Sequence, residues 1–168
     1  MYLDTEAASL ISGIQSPALT LAMEGVTYLG SFLSGVIIVG VLLWMRKRGE
    51  AKMVLAGIAM NGAVIFPIKH LVARERPENA LITVDWLVDT AEYSFPSGHA
   101  AMAFMMAILL SSVFGRKYFF YTLAFLIAFS RIYLGVHYLS DVVGGAVIGV
   151  ALGSVILRHK ERLMRLTI

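Results

Sequence analysis

The sequence predicts an all-α fold: a polytopic membrane helix bundle of five to six transmembrane helices with an N-terminal interfacial helix. Three observations carry that expectation. Hydrophobic residues make up 58% of the chain and charged residues only 15%, far from the balance of a soluble globular domain. Apolar runs of about 20 residues recur, each long enough to cross a bilayer core of about 30 Å. The basic residues fall in short clusters between those runs. The length of 168 residues suits a single domain, residues 1–168, and no low-complexity or Pro/Ser-rich linker divides it.

Taken in order, residues 1 to about 25 are moderately apolar but carry Asp4, Glu6 and Glu24. They predict a helix lying in the membrane interface, broken at Ser16-Pro17, where proline disfavours helix at the residue before it. The first firm span runs from about residue 26 to 44 and is closed by Arg46-Lys47-Arg48. Further spans follow at about 51–72, 97–114, 118–134 and 139–157. Gly145, Gly149 and Gly153 recur every four residues in the last one, so its backbone can approach a neighbouring helix closely. Helix packing alone is a sufficient reason for them.

The cations orient this arrangement. Arg46, Lys47, Arg48, Lys52, Arg116, Lys117, Arg158, Lys160, Arg162 and Arg165 fall on one side of a five-span chain, and only Lys69, Arg74, Arg76 and Arg131 on the other. The positive-inside rule then places the C-terminus in the cytoplasm and the second group on the extracytoplasmic face. Composition narrows the function classes too. With no cysteine there is no disulfide, thiolate nucleophile or Cys-ligated zinc. A net charge of +3 without a basic stripe or aromatic-interleaved patch gives no footprint for nucleic acid. The N-terminus, Met1-Tyr2-Leu3-Asp4, lacks the basic region that opens a cleavable signal peptide.

Chemistry-bearing residues gather in three clusters. In the first, Lys69 stands near the end of an apolar span, where a charge is costly unless it snorkels or has a task. Arg76, followed by Pro77, is expected just past the helix end. In the second, Pro96-Ser97-Gly98-His99 enters the third span. A helix starting there points free backbone N–H groups and a positive dipole end outward, with Ser97 as cap and Gly98 allowing close approach of a ligand. Pro-Ser-Gly alone is an ordinary helix entry, but an imidazole at the mouth of an apolar span needs a polar partner.

The third cluster joins Ser130-Arg131 to His137 and Asp141. Four residues, one helical turn, separate His137 from Asp141, so the carboxylate can accept a hydrogen bond from the imidazole and fix its tautomer. Such a pair can equally be structural, or two metal ligands, although no His-x-x-x-His or carboxylate-rich cluster accompanies it. Arg131 near a span end should meet an anion or a carboxylate. His70, Arg74 and Glu75 look like interfacial or solvated residues. Glu78, Asp85, Asp89 and Glu92 make the loop before the second cluster acidic. The whole inventory suits a multiply charged anion, with one imidazole to attack it and another to move a proton. Phosphoryl transfer needs little beyond such positioning and charge neutralisation.

Lys69-x6-Arg76-Pro77, Pro96-Ser97-Gly98-His99 and Ser130-Arg131-x5-His137-x3-Asp141 resemble, in order and spacing, the three-part signature of the type 2 phosphatidic acid phosphatase superfamily. That family includes membrane lipid phosphatases, glucose-6-phosphatase-like enzymes and soluble vanadium haloperoxidases. The resemblance implies an integral-membrane phosphatase that acts on a lipid phosphate or isoprenyl diphosphate without a metal or other cofactor. By the same resemblance His137 is the nucleophile that forms a phosphohistidine, Asp141 orients it, and His99 protonates the leaving oxygen and later activates water. Lys69, Arg76, Ser97, Gly98 and Arg131 would hold the phosphate. Partners would be the lipid substrate and the bilayer, with no nucleic acid. Competing readings are a phosphotransferase or small-molecule phosphatase of the same fold, or a non-catalytic binder or transporter of anionic lipid. Binding alone would need the cations but not two histidines and a carboxylate.

Overall fold

The computed structural model describes residues 13–77 and 93–165, together with Asp4, Glu6, Ala7, Leu10 and Ile11. The acidic loop residues Glu78, Asp85, Asp89 and Glu92 lie outside the described residues. Among the described residues the regular structure is helical: α1 (Pro17–Tyr28), α2 (Phe32–Trp44), α3 (Arg48–Val72), α4 (Gly98–Phe114), α5 (Lys117–Tyr133), α6 (Leu139–Arg158) and α7 (Lys160–Arg165). Helices α3 to α6 stand where the four spans after residue 50 are expected.

The expected first span is different. A helix continuous from residue 26 does not form, because α1 ends at Tyr28 and Ser31 caps a new helix, its side chain accepting from the Ser34 amide at 3.2 Å. The two helices meet at 54°. The break expected at Ser16-Pro17 is present, with Ser16 as N-cap and Pro17 as the first helical residue of α1. By length and composition α3 and α6 can each cross a membrane, and the bent α1–α2 pair could supply a third crossing. The helices α4 and α5, at 17 residues, reach about 25 Å each.

Burial explains the arrangement. The α4 sequence is apolar on every side, and Ala100 to Ala107 are buried in an almost unbroken run, so α4 is the central helix. It packs against α3, α5 and α6. One core layer joins Met53, Val54 and Ile58 of α3 to Met105 and Leu109 of α4 and to Ile156 of α6. A second joins Ala103 and Phe104 to Ala124, Ile127 and Ala128 of α5.

The α4–α6 contact depends on two glycines. A side-chain carbon at Gly145 would overlap the Ser97 carbonyl, and one at Gly149 would overlap the Ala101 carbonyl. Backbone therefore rests on backbone, the close approach that small residues give membrane helices. The contact falls on the first turns of α4, so the glycine stripe also sets where the Ser97-Gly98-His99 cluster stands.

Candidate active site

The three sequence clusters meet at the end of the bundle where α3 and α5 stop and α4 and α6 begin. In the first, Ala73 closes α3 with a left-handed φ of 47°. That conformation costs an L-residue about 1–2 kcal/mol and turns the chain sharply off the helix axis. Lys69, in the last turn of α3, donates its ammonium to the Tyr93 carbonyl. Arg76 lies past the helix end, as expected, and is buried, with Nη1 donating to the Val136 carbonyl at 3.0 Å. The guanidinium thus braces the residue that precedes His137.

In the second cluster, Ser97 is fully buried and caps α4, its Oγ accepting from the Ala100 amide at 3.4 Å. The Ser97 amide donates to the Asp141 carbonyl at 3.0 Å, which ties the starts of α4 and α6 together. A side-chain carbon at Gly98 would meet only Ile65, at 3.5 Å, an ordinary contact. Packing within the protein therefore leaves room there for whatever approaches the helix terminus. His99 is half-buried at the second position of α4.

The third cluster contributes Arg131, buried in the last turn of α5, with Nη1 donating to Thr27 Oγ1 of α1 at 2.8 Å. Gly135, at φ 71°, then turns the chain towards His137, which is also buried. His137 Nδ1 lies 3.6 Å from Asp141 Oδ2. That is ion-pair range and longer than the hydrogen bond the spacing suggested. The buried Nδ1 has no hydrogen-bond partner among the described residues.

The reason is that Asp141 already holds other donors. Its Oδ2 accepts from the Tyr138 amide at 2.8 Å and from Ser94 Oγ at 2.6 Å, and its Oδ1 accepts from Arg74 at 2.6 Å. Apo catalytic hydrogen bonds are often long and shorten when substrate binds.

His99 is within electrostatic reach of Arg131, His137, Arg76 and Lys69, so the residues predicted from sequence do come together. Burial pushes the His137 imidazolium pKa down to about 3; the Asp141 carboxylate opposes this, while Arg131, Arg76 and Lys69 add to it. At neutral pH the imidazole is therefore uncharged, with a lone pair available. Among the described residues, no three His, Cys, Asp or Glu side chains gather closely enough to hold a metal ion.

One expectation is corrected. Glu75 is exposed, as a solvated loop residue should be, but Arg74 is not such a residue. Its Nη1 donates to Asp141 Oδ1 and Ser140 Oγ, both at 2.6 Å, and its Nη2 to Asp4 Oδ2 at 2.8 Å. The guanidinium carbon sits 4.1 Å from the centre of the Tyr138 ring. Asp4 in turn accepts from the Ser140 amide at 3.0 Å and from Ser140 Oγ at 2.7 Å. A carboxylate near the N-terminus and an arginine 70 residues later thus frame the back of Asp141. The sequence signal was topological: both fall on the lightly charged side of the chain.

Comparison with known proteins agrees with the geometry. The decaprenylphosphoryl-5-phosphoribose phosphatase of Mycobacterium tuberculosis H37Rv is 33% identical over 147 residues, covering 85% of this chain and 81% of that protein. The crystal structure of Aquifex aeolicus LpxE superposes with a TM-score of 0.85 at 33% identity, over 93% of this chain and 95% of that one. The transmembrane PAP2-type phosphatidylglycerolphosphate phosphatase of Bacillus subtilis gives a TM-score of 0.81 at 26% identity, over 98% and 87%. A family model, the PAP2 superfamily, matches residues 50–165, a stretch that holds all three clusters described above, and on that ground the chain belongs to the PAP2 superfamily.

Proposed function

We propose that this protein is an integral-membrane lipid phosphatase that works through a phosphohistidine on His137. The observation that carries the reading is the meeting of a buried, uncharged His137 with His99 and with Lys69, Arg76 and Arg131 at one end of an apolar bundle. An uncharged imidazole can attack phosphorus, and cations around it offset the charge of the equatorial oxygens. In the first step a P–N bond to His137 forms as the P–O bond to the lipid alcohol breaks, and His99, protonated once the negative charge of the bound phosphate lies beside it, gives that proton to the departing oxygen. In the second step water attacks phosphorus, gives a proton to His99 and releases phosphate, regenerating His137. Asp141 faces Nδ1 and stabilises the imidazolium character that develops there. No step assigns work to a metal. The names of the relatives, which specify phosphatases of polyprenyl-linked and glycerol-linked lipids, support a lipid substrate.

The test is phosphate release from a lipid phosphate in detergent. His137→Ala should abolish it, whereas Arg116→Ala, at an exposed position at the far end of the bundle, should retain it. Vanadate, whose adduct mimics the transferring phosphoryl group, should inhibit the wild type, and EDTA should not. Robust release without His137, or EDTA inhibition reversed by Mg²⁺, would overturn the assignment.

The site is proposed to face the extracytoplasmic side, because the larger group of cations marks the opposite face as cytoplasmic. With no native cysteine, the proposal is tested without background. Glu75→Cys should react with an impermeant thiol reagent in intact cells, and Lys117→Cys only after lysis. The reverse pattern would place the site in the cytoplasm.

A further inference from the structure

A cavity of about 490 Å³ opens beside His99, within the size range of small-ligand sites. Its walls come from the α1–α2 junction at Gly30 and Phe32, from α3 between Leu55 and Gly62, and from Gly98, His99 and Met102 of α4. Phe32 and Leu55 are both half-exposed or more on the surface of the bundle, so the cavity has an apolar rim. The phosphate-holding cations do not line it. It is therefore the space next to the proton donor rather than the space for phosphate, and in the reaction proposed above that space belongs to the departing alcohol.

Within this wall stands one anomaly. Asn61 is only 6% exposed, and its Oδ1 has no hydrogen-bond partner among the described residues. Its neighbours on the same wall, Leu55, Ile58, Ala59 and Met102, are apolar. A buried amide oxygen left unpaired is costly, and native proteins seldom carry one without cause. An unpaired acceptor asks for a donor, and in a lipid phosphate the donor available near the leaving oxygen is a hydroxyl of the linker. A chain that is hydrocarbon from the first carbon onward offers none.

Resting on the phosphatase reading, we propose that this cavity seats the departing alcohol and that Asn61 selects lipid phosphates whose linker carries a free hydroxyl near the leaving oxygen, as glycerol- and sugar-type linkers do. Asn61 is then a specificity residue. It lies outside the phosphate site, so its loss should alter which lipid is chosen without disabling the chemistry.

The experiment compares phosphatidylglycerophosphate with its 2-deoxy analogue, in which a propanediol linker removes that hydroxyl and nothing else. The wild type should favour the hydroxyl-bearing lipid in kcat/KM by about tenfold, the scale of one buried hydrogen bond. Asn61→Leu should bring that ratio close to one while keeping turnover of the deoxy lipid. A wild-type ratio near one, or equal loss on both lipids in Asn61→Leu, overturns the assignment, and the wild-type ratio is measured without any risk of misfolding. Gly62→Leu offers a second check, because a side-chain carbon at Gly62 meets nothing within 4 Å and so extends into open space. It should impair both lipids and spare a soluble aryl phosphate, and unimpaired lipid turnover would place the alcohol elsewhere. Wild-type protein that releases phosphate from neither lipid nor the aryl phosphate would overturn the phosphatase reading as well, and release from the aryl phosphate alone would overturn the role of Asn61. Release at equal rates removes only the role of Asn61.

Discussion

At the end of the bundle where α2 stops and α3 begins, Arg46, Arg48, Arg116, Lys117 and Arg158 are all exposed. At the other end Arg76 and Arg131 are buried, at 6% and 5% exposure. The exposed set has loose neighbours, such as the Lys117 ammonium 5.0 Å from the centre of the Tyr118 ring, and the partly exposed Lys47 lies 3.7 Å from Glu50. Contacts of that kind contribute little to stability. The buried set is built in: Arg76 donates to the Val136 carbonyl and Arg131 to the Thr27 hydroxyl, so each guanidinium is oriented from within the fold. Arg74, beside them, is placed differently, between the carboxylates of Asp4 and Asp141. On the function proposed above, the difference separates three uses of a cation in one small membrane protein: marking a face, presenting charge to a ligand, and holding another catalytic group in place.

The largest test of that separation pairs Arg76 with Arg158. Arg76→Ala should lower kcat/KM for phosphate release by about 10²–10³, the usual consequence of losing one preorganised donor to a transferring group. Arg158→Ala, exposed at the far end, should stay within about twofold. Similar losses in the two variants would mean that burial does not distinguish the sets, and the comparison would fail. Arg76→Lys should recover only part of the activity. An ammonium keeps the charge but not the planar fork that reaches the Val136 carbonyl and a phosphate oxygen together.

Much of this was legible in the sequence because the strongest signals are local. Four apolar runs gave α3 to α6 to within a few residues, since charged residues, glycine or proline flank each run and mark where the helix starts or stops. Ser97 as a cap, Gly135 as a turn and Arg76 beyond the helix end follow from single-residue preferences, and each stands where those preferences put it. The kink at residues 29–31 was missed because Gly30-Ser31 lies inside an apolar run, where hydropathy hides a cap. Space for the kink comes from tertiary contact: a side chain at Gly30 would collide with Ile127. Arg74, Ser94 and Asn61 were invisible for a related reason. Each is defined by a partner or a wall contributed by a distant segment, and no periodicity records that. The four-residue spacing of His137 and Asp141 placed the pair correctly but overstated its bond, because the donors competing for Asp141 come from residues 74 and 94.

The smaller test concerns Arg74 and Asp4, whose contacts run to Asp141 and Ser140. Arg74→Ala removes a charge-assisted hydrogen bond from Asp141, worth about 1.5–3 kcal/mol, so kcat should fall about tenfold to a hundredfold. KM should change little, because a residue that acts through Asp141 does not bind substrate. Arg74→Lys should restore part of kcat by returning one donor to the carboxylate. Asp4→Ala should have the smallest effect, about threefold or less, because Arg74 would still be held by Asp141 and Ser140 and would lose only its outer anchor. The order of the two losses is the informative result. If Asp4→Ala proved as damaging as Arg74→Ala, the N-terminal carboxylate would itself be required to keep Arg74 on Asp141. A rise in KM at constant kcat for Arg74→Ala would instead show that Arg74 touches the substrate, and it would move from the holding class to the charge-presenting class beside Arg76 and Arg131.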